Sequence, residues 1–187
     1  MTKLRFFVAL WAAKLTIWLR RVTKAENSDI PGRVAMHLFP EFLSAIRKPT
    51  QVICITGTNG KTTVSNLVTD ALRLAGHKVV NNSIGYNTRN GIALALIEET
   101  TLWGHPLADI AVLETDERSS KFLFSALRPD FLVCTNLTRD SIKFNGHPEF
   151  IAGLIDAGIQ PETTLILNAD DLICAALGGA TNRKVMF

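Results

Sequence analysis

Residues 52–63 read VICITGTNGKTT: an apolar run, Val52-Ile53-Cys54-Ile55-Thr56, breaks at Gly57-Thr58-Asn59-Gly60 and restarts at Lys61-Thr62-Thr63. A buried strand, a glycine turn and a helix start in immediate succession are what a parallel α/β sheet presents at a ligand-binding edge. The general phosphate-loop pattern G-x-x-x-x-G-K-[ST] asks for glycine at position 55, where this chain has Ile55. The physical requirement is looser than the pattern: inward-pointing backbone N–H groups, a helix N-terminus behind them, and a cation. Gly57 and Gly60 permit backbone conformations that a Cβ obstructs, Lys61 reaches terminal phosphates, and the Thr62 hydroxyl suits Mg²⁺. A bare strand-to-helix turn explains the glycines, but not a lysine followed by two threonines at the mouth of a buried strand. The stretch therefore predicts a shortened phosphate loop made of Gly57, Thr58, Asn59, Gly60, Lys61, Thr62 and Thr63.

Outward from this loop, apolar runs alternate with helical patterns as far as the last residue, the signature of βαβ units. Strands are expected at 52–56, 77–82, 108–115, 131–137, 163–169 and 184–187. Helices are expected at 61–75, from about 93 to 99, and at 119–127, 148–158 and 170–177. In the first of these helices Val64, Leu67, Val68, Ala71, Leu72 and Ala75 form the expected inner face. The fold class is thus α/β, a mostly parallel sheet flanked by helices around a phosphate loop, with an N-terminal apolar helix. The expected division is an N-terminal helical segment and connector over 1–49, with one helix in the connector, and an ATP-binding domain over 50–187. A sheet strand needs a paired backbone and a covered face, so a sequence stopping on a strand reads as the front part of a longer protein.

With 47% hydrophobic and 20% charged residues, the 187-residue chain is a globular type and not a disordered one. A formal charge of +3, with bases scattered after residue 50, gives no footprint for nucleic acid. Cys54, Cys134 and Cys174 lie in apolar runs without C-x-x-C spacing and read as small buried hydrophobes in a reducing, cytoplasmic compartment. Residues 4–22 (LRFFVALWAAKLTIWLRRV) are too short and too charged to span a bilayer. Leu4, Phe7, Val8, Trp11, Leu15, Trp18, Leu19 and Val22 recur at helical spacing, with Lys3, Lys14 and Arg21 along one flank. Docking of that stripe on protein is the favoured reading; contact with a membrane surface is the alternative.

Ligands of open α/β sheets sit beyond the carboxyl ends of the strands, so the residues there are site candidates. The third strand ends in LETDE, and Glu114 is the leading carboxylate for a phosphate-bound Mg²⁺, while Asp116 and Glu117 read equally as an acidic helix-capping turn. The fourth ends in TNLTRDS, offering Thr135, Asn136, Arg139 and Asp140; the fifth ends in LNADD, where Asn168 suits an adenine edge and Asp170 and Asp171 suit helix caps. His147 reads as a surface residue at a helix start.

Taken together, the shortened loop, Glu114, the Thr135-Asn136 strand end and the Asn168-Ala169-Asp170-Asp171 segment resemble the Mur ligases, the ATP-dependent amide-forming ligases of peptidoglycan synthesis and their folate relatives. Within that family the apolar N-terminus and the Pro31-Gly32 connector look most like the MurT-like branch, which pairs with a glutaminase, GatD, and amidates the D-glutamate of lipid II at the inner face of the membrane. The resemblance implies that Gly57, Thr58, Asn59, Gly60, Lys61, Thr62, Thr63 and Asn136 cradle ATP, that Thr62 and Glu114 hold Mg²⁺, that Asn168 meets the base, and that Lys61 and Glu114 are the catalytic pair. It also implies a zinc ribbon and a C-terminal domain beyond Phe187. The segment Ser141 to His147 departs from the branch's usual R-D-Q-L-D-R-Y-G-E. Alternatives are a relative that adds an amino acid, like folylpolyglutamate or cyanophycin synthetase, and a nucleotide-binding scaffold without catalysis.

Overall fold

A computed structural model describes residues 2–23, 29–82, 87–138 and 147–187. Arg139, Asp140, the segment 141–146 and most of the polar loop after residue 82 lie outside the described residues.

Six strands form one all-parallel sheet: β1 Gln51–Thr56, β2 Val79–Asn81, β3 Ile110–Glu114, β4 Phe131–Cys134, β5 Thr164–Leu167 and β6 Lys184–Met186, in the order β2-β3-β1-β4-β5-β6. The helices are α1 Thr2–Thr23, α2 Ile30–Leu38, α3 Phe42–Ala45, α4 Lys61–Leu74, α5 Arg89–Glu98, α6 Ser120–Leu127, α7 Pro148–Asp156 and α8 Leu172–Ala175. β1 is flanked by β3, then the chain crosses to lay β4 on its other side, and this reversal of winding opens a crevice at the carboxyl end of β1.

Alternate residues of each strand feed opposite faces. Val52 and Cys54 point with Ala111, Leu113, Leu132, Cys134, Leu165 and Leu167 into the larger core, which continues into α1, α2, α3, α5, α6, α7 and α8. Ile55, Ile110, Val112 and Val133 face the other way, where Val64, Val68 and Leu72 of α4 cover them.

Three expectations need correction. Leu67, Ala71 and Ala75 of the expected inner face of α4 are exposed, Leu67 at 69%. α4 turns Ser65 and Thr69 inward instead, because Asn81 Nδ2 donates to the Ser65 and Thr69 hydroxyls at 3.0 and 2.5 Å. The connector carries two helices, and Pro31-Gly32 belongs to the first turn of α2, where proline's missing N–H costs nothing. A Cβ at Gly32 would fall 1.9 Å from the Asn90 carbonyl oxygen, so this glycine sets how closely α2 meets α5. Finally, α1 docks by the face opposite to the conspicuous one. Ala9, Leu10, Ala13 and Ile17 are buried against α2, α3 and α5; of the expected stripe Phe7 packs partly on the core, whereas Leu4, Val8, Trp11, Leu15, Trp18, Leu19 and Val22 are exposed. Small alanines admit a close helix crossing, and the bulky stripe is left outside.

Candidate functional site

The loop between β1 and α4 is built by two left-handed glycines. Gly57 has φ +127°, and a Cβ there would fall 2.2 Å from Thr135 Oγ1 and 2.9 Å from the Asn136 carbonyl oxygen. Gly60, the N-cap of α4, has φ +82°, and its Cβ position meets nothing within 4 Å. Gly57 is thus pressed against the end of β4, while Gly60 faces open space at the helix N-terminus, where unpaired N–H groups favour an anion. Ile55 is fully buried in β1, and the loop begins two residues beyond the position where the general pattern puts its first glycine.

Residues 135–138 fasten the loop. Thr58 N donates to Asn136 O at 2.8 Å, and Asn59 N donates to Asn136 Oδ1 at 3.0 Å. Asn59 O accepts from Asn136 Nδ2 at 3.0 Å and from Thr135 Oγ1 at 2.7 Å. The Thr58 hydroxyl exchanges hydrogen bonds with the Thr138 backbone, donating to its carbonyl at 3.0 Å and accepting from its N–H at 3.1 Å. Asn136 therefore shapes the turn with its whole amide.

Lys61 opens α4 and folds back over the loop, its Nζ donating to Gly57 O at 2.5 Å, Thr58 O at 3.3 Å and Glu117 Oε1 at 2.8 Å. Both partners of the Lys61–Glu117 ion pair are largely shielded, with side-chain exposures of 14% and 16%. Glu117 is accordingly not part of a solvated acidic turn. Asp116 is the cap, its Oδ2 accepting from Ser119 N at 3.2 Å in the short 3-10 turn Glu117–Ser119.

Thr62 Oγ1 donates to Glu114 Oε2 at 2.8 Å. Glu114, 7% exposed, closes β3, and its backbone is clamped by Asn82, which accepts from Glu114 N at 2.8 Å and donates to Glu114 O at 2.9 Å. A hydroxyl and a carboxylate oxygen in contact beside a glycine loop at a helix N-terminus fit a Mg²⁺ that takes one or two protein oxygens and completes its octahedron with phosphate oxygens and water. Among the described residues no three His, Cys, Asp or Glu side chains converge into a metal cage. Thr63, exposed, stands next to Thr62 in the first turn of α4.

Asn168 lies on the wall of a second crevice, shared with Asn136, Thr138, Asp170, Asp171 and the exposed Leu172. Its Nδ2 donates to Thr135 O at 2.9 Å and its Oδ1 accepts from Asp170 N at 2.9 Å, so it ties the end of β5 to that of β4. Asp171 caps α8, accepting from Ile173 N and Cys174 N at 3.0 Å, and also accepts from Leu137 N. His147, the N-cap position of α7, is exposed beside Glu149. The structure gathers the loop, Glu114 and Asn136 into one crevice edge and sets Asn168 beside it. Sequence reasoning gave Glu117 only a capping role and missed Asn82; the visible signal for each was a polar residue at a strand's carboxyl end.

Residues 55–186 match the Mur ligase middle domain. Over 186 residues the chain is 31% identical to the MurT subunit of lipid II isoglutaminyl synthase (glutamine-hydrolyzing) from Staphylococcus aureus strain COL, covering 98% of this chain and 42% of that protein. The same subunit from Streptococcus pneumoniae strain ATCC BAA-255 / R6 is 32% identical over 146 residues, 77% of this chain and 32% of that one. Among solved structures, MurF from Acinetobacter baumannii superposes with a TM-score of 0.65 at 19% identity, over 83% of this chain and 35% of the other. A pseudomurein peptide ligase type C from Methanothermus fervidus gives 0.59 at 25% identity, over 79% and 29%. The chain spans less than half the length of these curated relatives.

Proposed function

We propose that this chain, which belongs to the Mur ligase family, is the ATP-binding part of a ligase that forms a carbon–nitrogen bond at an activated carboxylate. The observation that carries the reading is the contact of Thr62 Oγ1 with Glu114 Oε2, 2.8 Å apart at the mouth of a loop whose lysine is already folded inward. Bound Mg·ATP supplies the phosphoryl group that turns a carboxylate into an acyl phosphate. The chain's own contribution is positional and electrostatic. Gly57 and Gly60 keep the loop open to phosphate oxygens, Lys61 brings a fixed positive charge, and Thr62 and Glu114 present oxygens to the metal. Asn136 holds the loop's shape, and the Asn168 crevice, with the Leu172 side chain on its wall, suits an adenine ring.

By similarity to the lipid II isoglutaminyl synthase subunits, the acceptor is the D-glutamate carboxylate of lipid II and the nitrogen is ammonia from a GatD-like glutaminase subunit. On this reading the work belongs to peptidoglycan synthesis, in the cytoplasm at the inner face of the membrane. The test of the nucleotide site is Lys61→Ala, measured by calorimetry against Mg·ATP. Loss of a charge-assisted contact should weaken binding by about 10- to 100-fold while the circular dichroism spectrum stays native. Undiminished affinity would overturn the reading. The acceptor is tested in the full-length protein with its glutaminase: phosphate release dependent on lipid-linked muropeptide supports amidation, and release dependent on an added amino acid replaces it with amino-acid ligation.

A further inference from the structure

We infer that the outward face of α1, with the Leu102-Trp103 shoulder beside it, is a docking surface for an anionic lipid membrane, lying along the bilayer surface without crossing it. The inference stands on α1 and its surroundings and is independent of the nucleotide site.

α1 is 22 residues long, about 33 Å at the rise of an α-helix. Its inner face, Ala9, Leu10, Ala13 and Ile17, is spent on the protein core. On the other side Leu4, Val8, Trp11, Leu15, Trp18 and Val22 recur at alternating steps of four and three residues, so they form one straight apolar stripe along the helix. All six are exposed, from 45% at Trp11 to 70% at Leu4. The stripe does not end at the helix. Trp11 Nε1 donates to Leu102 O at 2.9 Å, which places Leu102 and Trp103, 57% and 69% exposed, alongside Trp11 and Leu15. The apolar surface is therefore broader on one side than a single helix seam and carries three exposed indoles, whose apolar body and polar N–H suit the headgroup boundary.

Charge chooses among the occupants. α1 carries Lys3, Arg5, Lys14, Arg20 and Arg21 and no acid, a charge of +5 against +3 for the whole chain, which leaves the other residues at −2. The protein's positive excess is thus concentrated in the helix that carries the stripe. Lys3, Arg5 and Arg21 are exposed, with Lys3 and Arg21 on one flank of the stripe and Arg5 on the other. A second copy would bring the same exposed bases, Lys3, Arg5 and Arg21, against their like, which disfavours a symmetric helix pair, whereas anionic headgroups match bases that flank an apolar face. No described helix is long and apolar enough to cross a membrane, which fits a helix that lies in the interface.

The test is co-sedimentation of the full chain with vesicles of phosphatidylcholine alone and of an equal mixture with phosphatidylglycerol, followed also by tryptophan emission. The expected result is binding to the mixed vesicles with a blue shift, at least ~10-fold weaker binding to phosphatidylcholine alone, and release by high salt. The double variant Leu15→Glu/Trp18→Glu, at exposed positions, should lose vesicle binding by ~10-fold or more while its circular dichroism and ATP affinity match the parent. The pair Lys3→Glu/Arg21→Glu should lose the preference for phosphatidylglycerol. No binding to either vesicle, equal binding to both, or a concentration-dependent dimer that the double variant abolishes without any vesicle binding would each overturn the inference. A loss of ATP affinity in Lys61→Ala leaves vesicle binding unchanged, so the two readings fail separately.

Discussion

Gly57 and Gly60 share one turn but answer to different constraints. At Gly57 a methyl group meets Thr135 Oγ1 at 2.2 Å and the Asn136 backbone at 2.9 Å, so Gly57→Ala must push the loop off β4, in addition to straining a φ of +127°. At Gly60 the space is open and only the left-handed conformation, φ +82°, is at stake. Urea unfolding should therefore show a loss of about 3 kcal/mol for Gly57→Ala and about 1 kcal/mol for Gly60→Ala. Glu117 supports a second prediction. Its carboxylate holds Lys61 Nζ at 2.8 Å and, on the proposed nucleotide-binding reading, competes with phosphate oxygens for the same charge. Glu117→Gln should tighten Mg·ATP binding by ~3- to 10-fold in calorimetry and lower the unfolding free energy by about 1 kcal/mol, since the pair is shielded but not sealed. The loop residues were legible because glycine, lysine and threonine at those spacings have few other uses. Glu117 was not legible as a lysine partner, because the ion pair joins residues 56 positions apart and depends on how β3 registers beside β1.

Among the elements, the inner strands β1, β3, β4 and β5 were legible from short apolar runs bounded by turn residues, since a parallel sheet covered on both faces needs residues that are apolar on both sides, whereas the expected edge strand β6 is exposed along its whole length. The helix faces were less so. A stripe of large apolar residues marks a face but does not say that the face is turned inward. α1 contradicts that assumption, docking through Ala9, Leu10, Ala13 and Ile17, and α4 meets it only in half, covering the sheet with Val64, Val68 and Leu72 but turning in Ser65 and Thr69, held by Asn81, where Leu67, Ala71 and Ala75 stay outside. The join between α3 and β1 gives a pH prediction. Lys48 donates to Ser44 O at 3.1 Å, and burial, together with the Arg128 charge, pulls its ammonium down from 10.5 to about 8. Above pH 10.5 Lys48 is neutral whether the chain is folded or not. Between 10.5 and 8 the unfolded chain takes up a proton that the folded one refuses, so this group's penalty grows as pH falls and levels off below 8. Lys48→Met should remove it: parent minus variant stability should rise by about 1 kcal/mol between pH 8 and pH 10 in urea unfolding, after allowance for solvent screening.

At the scale of the whole molecule, seven helices share one side of the sheet and, among the described residues, α4 alone covers the other. The parallel sheet and the crevice at the carboxyl end of β1 follow from the strand and loop pattern. The side on which each helix lies does not, because it is set by crossover connections and close approaches such as Gly32 on Asn90. Cys54, Cys134 and Cys174 all belong to the seven-helix side and are fully buried; burial raises the Cys54 thiol well above its ordinary value, and the hydrogen bond with Cys174, together with burial, raises that of Cys134. A thiol reagent such as Ellman's should leave all three unmodified in the native protein and modify them in denaturant; fast modification of any of them without denaturant would contradict the packing. This one-sided placement of sulfur makes the cysteines a built-in clock for a single event, the parting of the helical layer from the sheet. Fraying of the lone helix on the far side would pass unseen by it, so sulfur labelling and amide exchange along α4 would record separate lifetimes within one molecule.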